Sequence, residues 1–120
     1  MQHQALSIRT FIGAKDYEMS RSFYRDLGFE EIVVAEKMCL FRIDGLGFYL
    51  QDYYAEDWVN NSMVFLEVEN PEQHLEEVKK LNLSEKYPNV RFTEVRYNDW
   101  GREYFMHDPS GVLWHFGAFV

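Results

Sequence analysis

The chain has one cysteine, Cys39, among 120 residues. A single thiol excludes an internal disulfide and any zinc site built from cysteines. Its place in the apolar run "MCLF" marks it as a small buried hydrophobe. No apolar run approaches the ~20 residues that a membrane-spanning helix needs. The opening "MQHQALSIRTF" has neither a long apolar stretch nor a small-residue cleavage site. The expectation is a cytoplasmic protein with no membrane partner. Cations are also scarce: 12 Lys and Arg stand against 20 Asp and Glu, a formal net charge of −8. That balance argues against nucleic acid as a partner and suits a neutral or cationic ligand, although it also simply serves solubility. Neither Gly-x-Ser-x-Gly nor a phosphate-binding loop is present, and no serine or cysteine nucleophile arrangement is visible.

Aromatic residues are abundant, at 18% of the chain. That is more than packing needs, and Tyr and Trp suit surfaces that contact other molecules. The hydrophobic share of 47% can bury a core, and the length fits one domain, residues 1–120, made of two modules at about 5–55 and 61–120.

The modules are a faint internal repeat. "SIRTFIGA" (7–14) alternates as a half-buried strand should, with Ile8, Thr10, Ile12 and Ala14 on one side. Asp16 follows as a helix N-cap, then Ser20, Phe23, Tyr24 and Leu27 recur at helical spacing up to Gly28. A shift of 54 positions brings Ile12 onto Leu66, Ala14 onto Val68, Asp16 onto Asn70 and Tyr24 onto Val78. "NPEQHLEEVKKL" (70–81) is thus a second helix, capped by Asn70, with Pro71 at its first position and Leu75, Val78 and Leu81 inward. Strand patterns follow each helix: "FEEIVVAE", "MCLFRID" and "GFYLQDY", then "RFTEVRYND", "REYFMHD" and "GVLWHFGAF". Asp44-Gly45, Gly101 and Asp108-Pro109-Ser110-Gly111 mark the turns. The fold class is α+β: two βαβββ modules forming an open, curved mixed sheet with helices outside. An open concave sheet lined by aromatics is a ligand pocket by default.

The runs "KDYEMSRSFYRDLGFE" and "DWGREYFMHDPSGVLWHF" on this duplicated pattern resemble the vicinal oxygen chelate superfamily, which includes glyoxalases, extradiol dioxygenases and bleomycin-resistance proteins. The second run is most similar to the bleomycin-resistance branch. The resemblance implies a homodimer with ligand crevices between subunits, often with an exchanged N-terminal strand. Catalytic relatives hold one divalent metal, using His, Glu or Gln from four strands. Carried over, those positions fall on Arg9, Met63, Tyr49 (or Gln51, two residues on) and His115. Arg repels a cation, and Met is too soft a donor for an oxygen-rich site. No metal, other cofactor or catalytic residue is therefore assigned.

His115 shares a strand face with Leu113 and Gly117. It reads either as a hydrogen-bonded pocket histidine or as a base needing a partner such as Glu103. His107 and His74 read as solvated. The expected ligand-binding set is Tyr49, Gln51, Tyr53, Trp58, Trp100, Arg102 and His115, with Asp52, Glu56, Asp57 and Asp99 at its rim. Such a slot suits a flat aromatic or cationic compound. Trp58 and Trp100 read equally well as dimer-core residues, and Arg102 as a partner of a nearby carboxylate. Trp114 and Phe116 point to the core. The function expected is a metal-free binding protein that sequesters its ligand. The alternative is a glyoxalase- or dioxygenase-type metalloenzyme with a degenerate or displaced metal site.

Overall fold

The structure, a computed structural model, describes all 120 residues. The first half runs β1 (Phe11–Gly13), α1 (Tyr17–Asp26), β2 (Glu30–Ala35), β3 (Met38–Ile43) and β4 (Leu46–Gln51). A short helix α2 (Glu56–Asn60) leads to the second half: β5 (Met63–Glu67), α3 (Pro71–Lys79), α4 (Leu83–Lys86), β6 (Arg91–Phe92), β7 (Arg96–Asn98), β8 (Gly101–His107) and β9 (Leu113–Phe119). The class is α+β. The expected open mixed sheet is present as two, one per half.

The repeat is visible in the strand order. The first sheet is ordered β1-β4-β3-β2, and the second β5-β9-β8-β6 with β7 also on β8. In each half the first strand lies parallel to the last, and the other pairs are antiparallel. Ile12 stands opposite Leu50 in one half and Leu66 opposite Phe116 in the other, so the 54-residue shift of the first strands widens at the last strands, where the second half carries a longer insertion.

The helices begin where their caps place them. The Asp16 carboxylate accepts the Met19 amide at 3.1 Å, and Asn70 accepts the Gln73 amide at 3.0 Å. These bonds satisfy amides that the first turn leaves free. Gly28 follows α1 at a φ of +106°. The second helix is shorter than its pattern: it stops at Lys79, and Asn82 turns left-handed at a φ of 54°. Leu81 is consequently exposed, and Leu83 fills the core in its place.

One face of each sheet is covered by helix, and the other is open. On the covered side both halves share a single aromatic core. The Tyr24 ring of α1 meets Phe48 of the first sheet at 4.9 Å and Trp114 of the second at 5.8 Å, and Phe48 meets Trp114 directly at 5.3 Å. Phe116 is buried beside Trp114. Cys39 is buried too, its thiol 3.1 Å from the Tyr17 hydroxyl.

Three expectations are corrected here. The first strand covers only residues 11–13, not 7–14, and Leu6 and Ile8 are 100% and 98% exposed. Its last ladder bond runs from the Tyr49 amide to the Thr10 carbonyl at 2.9 Å, and residues 6–9 leave the sheet although β4 extends back to Leu46. The "RFTEVRYND" strand is broken into β6 and β7: the Thr93 amide still donates to the Phe105 carbonyl, but the Phe105 amide donates to the Thr93 hydroxyl instead of a backbone carbonyl. His74 is not solvated: its Nδ1 meets the Tyr104 hydroxyl and its ring lies 4.8 Å from Phe116.

Candidate functional site

The open face of the second sheet is set by alternation. Since Trp114 and Phe116 point into the core, Leu113, His115 and Gly117 point outward. Register brings Phe65 of β5 and Phe105 of β8 to either side of His115. The Phe65 ring is near parallel to the imidazole at 6.0 Å, and Phe105 meets it edge-on at 4.9 Å. His115 Nδ1 bonds Glu103 Oε1 at 2.8 Å, and Nε2 lies 3.5 Å from Met63 Sδ. Glu103 is 9% exposed. The histidine and carboxylate therefore form a fixed pair on the outer wall, which orients the ring and leaves Nε2 toward the surface.

Trp100 extends this wall. It sits in the β7–β8 turn, where the next residue must be glycine: a Cβ at Gly101 would stand 2.1 Å from the Ala118 carbonyl oxygen. The indole packs 6.2 Å from Phe65 and 5.5 Å from Phe119, and Phe65 and Phe119 lie 5.6 Å apart. Gly117 allows this, because a side chain there would come within 2.8 Å of the Phe65 ring. All three rings are substantially exposed. Glu67, opposite Gly117 on the same face, adds a carboxylate at the edge.

The structure thus brings Trp100 and His115 together through Phe65. The other expected site residues lie elsewhere. Tyr49 and Gln51 are on the open face of the first sheet, where Tyr49 stacks on Phe11 at 4.8 Å. Tyr53 and Trp58 form a separate pair, 6.0 Å apart, at the start of the inter-half connection. No ring contact within the chain joins these groups to Trp100. Arg102 has the same strand parity as Tyr104 and Met106 and is turned to the helix side. There its Nε lies 2.8 Å from both carboxylate oxygens of Glu72, and Tyr97 donates to the same carboxylate at 3.1 Å. The Arg102 guanidinium holds the Glu72 carboxyl below its ordinary range.

Phe65, Phe105, Phe119 and Phe11 belong to these walls but escape the sequence reading. For Phe65 the signal was available: it is two residues from Met63, on the same side of "SMVFLEV".

The positions at which the resemblance would put metal donors meet in pairs, one pair per half. Arg9 Nη1 donates to the Tyr49 hydroxyl at 3.1 Å, and Met63 faces His115. A guanidinium on a phenol and a thioether on an imidazole do not make a site for a hard divalent cation. No three His, Cys, Asp or Glu side chains gather as a metal would need.

A cavity of about 340 Å³ lies between the sheets. Its walls are apolar, with Phe29, Phe48 and Trp114 among them, and the segment Leu6–Thr10 runs along it. None of the expected site residues lines it. No helix is long and apolar enough to cross a membrane.

The comparisons agree with this architecture. A bleomycin-binding protein from bleomycin-producing Streptomyces verticillus, solved with copper(II)-bleomycin, superposes with a TM-score of 0.83 at 22% identity, covering 99% of this chain and 100% of that one. A bleomycin resistance determinant encoded on transposon Tn5 gives a TM-score of 0.78 at 17% identity, covering 94% and 98%. A fosfomycin resistance protein from Listeria monocytogenes, solved with Mn(II) and sulfate, gives 0.69 at 20%, covering 99% and 93%. At these identities the likeness is one of fold. No curated protein sequence matches the chain. A family model does match, over residues 7–116. The chain belongs to the glyoxalase/bleomycin resistance protein/dioxygenase superfamily.

Proposed function

We propose that the protein is a small-molecule receptor of the bleomycin-resistance type. As a homodimer it sequesters a flat aromatic or cationic compound in a crevice between subunits, without a metal. The observation that carries this reading is the exposed wall of Trp100, Phe65 and His115, with Glu103 and Glu67 beside it. Ring faces next to carboxylates favour a flat cation by stacking and cation–π attraction. Tyr49 and Phe11 on the first sheet supply a second ring-bearing face. A dimer that sets the first sheet of one subunit against the second sheet of its partner would join the two faces into one slot. It would also cover Phe11, Met63 and Phe65, which are 44%, 65% and 42% exposed.

The reading is tested by titrating the protein with bleomycin and with a flat cationic dye while tryptophan emission is followed. Saturable quenching, lost in Trp100→Phe, supports it. Size-exclusion chromatography with light scattering must give twice the chain mass. A monomer, or quenching that never saturates with any compound, rejects it.

A second reading, an enzyme of the glyoxalase or dioxygenase kind with a displaced metal, draws on one observation. The His115–Glu103 pair has the geometry of an oriented proton acceptor. Stoichiometric Zn, Mn, Ni or Fe in protein purified from cells would favour that reading over the first.

A further inference from the structure

At the opposite end of β8 from Trp100 the two halves flank an open polar cavity of about 200 Å³. Lys15 and Tyr54 come from the first half, and Asn89, Arg91, His107 and Ser110 from the second. No Asp or Glu lines it. Neither Lys15 nor Arg91 takes part in any ion pair of the structure. Arg9, Lys37 and Arg96 are also outside the ion pairs, but Lys15 and Arg91 share one cavity that no carboxylate lines.

Backbone register and a few contacts gather the donors around the cavity. Register sets Arg91 directly opposite His107, so both project from one face of the sheet. The Lys15 ammonium lies over the Tyr54 ring, 5.6 Å from its centre. The Lys15 amide donates to Ser110 Oγ at 2.8 Å, which ties the two halves at the cavity wall. Asn89 Nδ2 reaches the Pro109 carbonyl at 3.4 Å. The neighbouring carboxylate, Asp108, is fully buried and turned away. Its Oδ1 accepts the amides of Ser110, Gly111 and Val112, each at 2.9 Å, and its Oδ2 accepts the Tyr24 hydroxyl. The positive charge of Arg91 and Lys15 is therefore left uncompensated. Burial and the Arg91 charge hold His107 below its ordinary range, as expected where cations crowd.

We propose that this cavity is an oxyanion site. It takes one phosphate-, sulfate- or carboxylate-type group between the Arg91 guanidinium and the Lys15 ammonium, with Asn89 and His107 as further donors. A guanidinium offers a planar pair of N–H groups to such an anion, and an ammonium adds a point charge. The site stands apart from the aromatic wall and does not depend on the receptor reading.

The test is an amide NMR titration of the full chain with sodium phosphate, total ionic strength being held constant with sodium chloride. Saturable shifts at Asn89, Ser110 and Gly111 are expected. Arg91→Gln and Lys15→Gln should each weaken binding about fivefold or more, while Lys80→Gln, on an outer helix end, leaves it unchanged. Both cavity cations are exposed, so the variants keep the fold, which circular dichroism checks. Shifts that rise linearly without saturating, or that are the same in Arg91→Gln and Lys15→Gln, overturn the proposal. Phenyl phosphate distinguishes the sources. Tighter binding than phosphate with Trp100 quenching assigns the anion to a larger ligand spread along β8, and equal affinity without quenching assigns it to a free ion.

Discussion

Tyr24 and Asp108, from opposite halves of the chain, share a buried hydrogen bond of 2.6 Å. Trp114 Nε1 donates to the same Tyr24 oxygen at 2.9 Å. Burial raises both the Tyr24 hydroxyl and the Asp108 carboxyl above their ordinary ranges, while the turn amides and Tyr24 pull Asp108 back. Tyr24→Phe leaves a buried carboxylate oxygen and an indole N–H without this partner. It should destabilise the fold by about 2 kcal/mol, read as a lower midpoint in urea at unchanged slope.

His74 gives stability a pH dependence. Burial against Tyr104 and Phe116 lowers its pKa from the ordinary value of 6.5. The unfolded chain therefore binds the proton more readily than the folded one. The full contribution of neutral His74 is present above about 6.5 and is lost as the pH falls from there toward the folded-state value. His107 acts in the same direction, so the comparison must be made against a variant. Chemical denaturation at pH 7.5 and 5.5 should show a smaller loss of stability in His74→Gln than in the wild type.

Gly117→Ala tests the aromatic wall. The new methyl would stand 2.8 Å from the Phe65 ring and 3.0 Å from the Arg102 carbonyl. Moving the ring is the easier response, at a cost of roughly 1–2 kcal/mol. Affinity for a quenching flat cation should drop several-fold, while far-ultraviolet circular dichroism stays unchanged.

Arg102→Ala should leave ligand affinity untouched. Its side chain is on the helix side with Glu72, the pair being 30% and 40% exposed. The loss is that of a partly solvated ion pair, about 0.5 kcal/mol. A marked loss of ligand binding would place Arg102 in the site after all.

Much of this architecture is legible in the sequence because strand alternation and helix caps are local signals. Ile12 and Leu66, Asp16 and Asn70, and Tyr24 and Val78 keep their correspondence in space. The first strand is overestimated because pattern gives the propensity of a strand but not the backbone it pairs with. His74 is misread because polarity outweighed its position beside Leu75 on the inward stripe. Of the two readings of Arg102, the carboxylate partner is the one realised, with Glu72, and its parity with Tyr104 and Met106 points it to that helix side. Tyr49, Gln51, Tyr53 and Trp58 stand apart from Trp100 because alternation assigns a side chain to a face, whereas which faces meet is decided by packing between sheets.

The shared ring cluster of Tyr24, Phe48 and Trp114 has a consequence for cooperativity. Neither half can lose its sheet without stripping the cover from the other. Heat or denaturant should therefore melt the whole chain in one transition, and amides in β4 and β9 should exchange with solvent at the same global free energy. Split between modules into two polypeptides, the chain should give fragments that are disordered alone and ordered only on mixing.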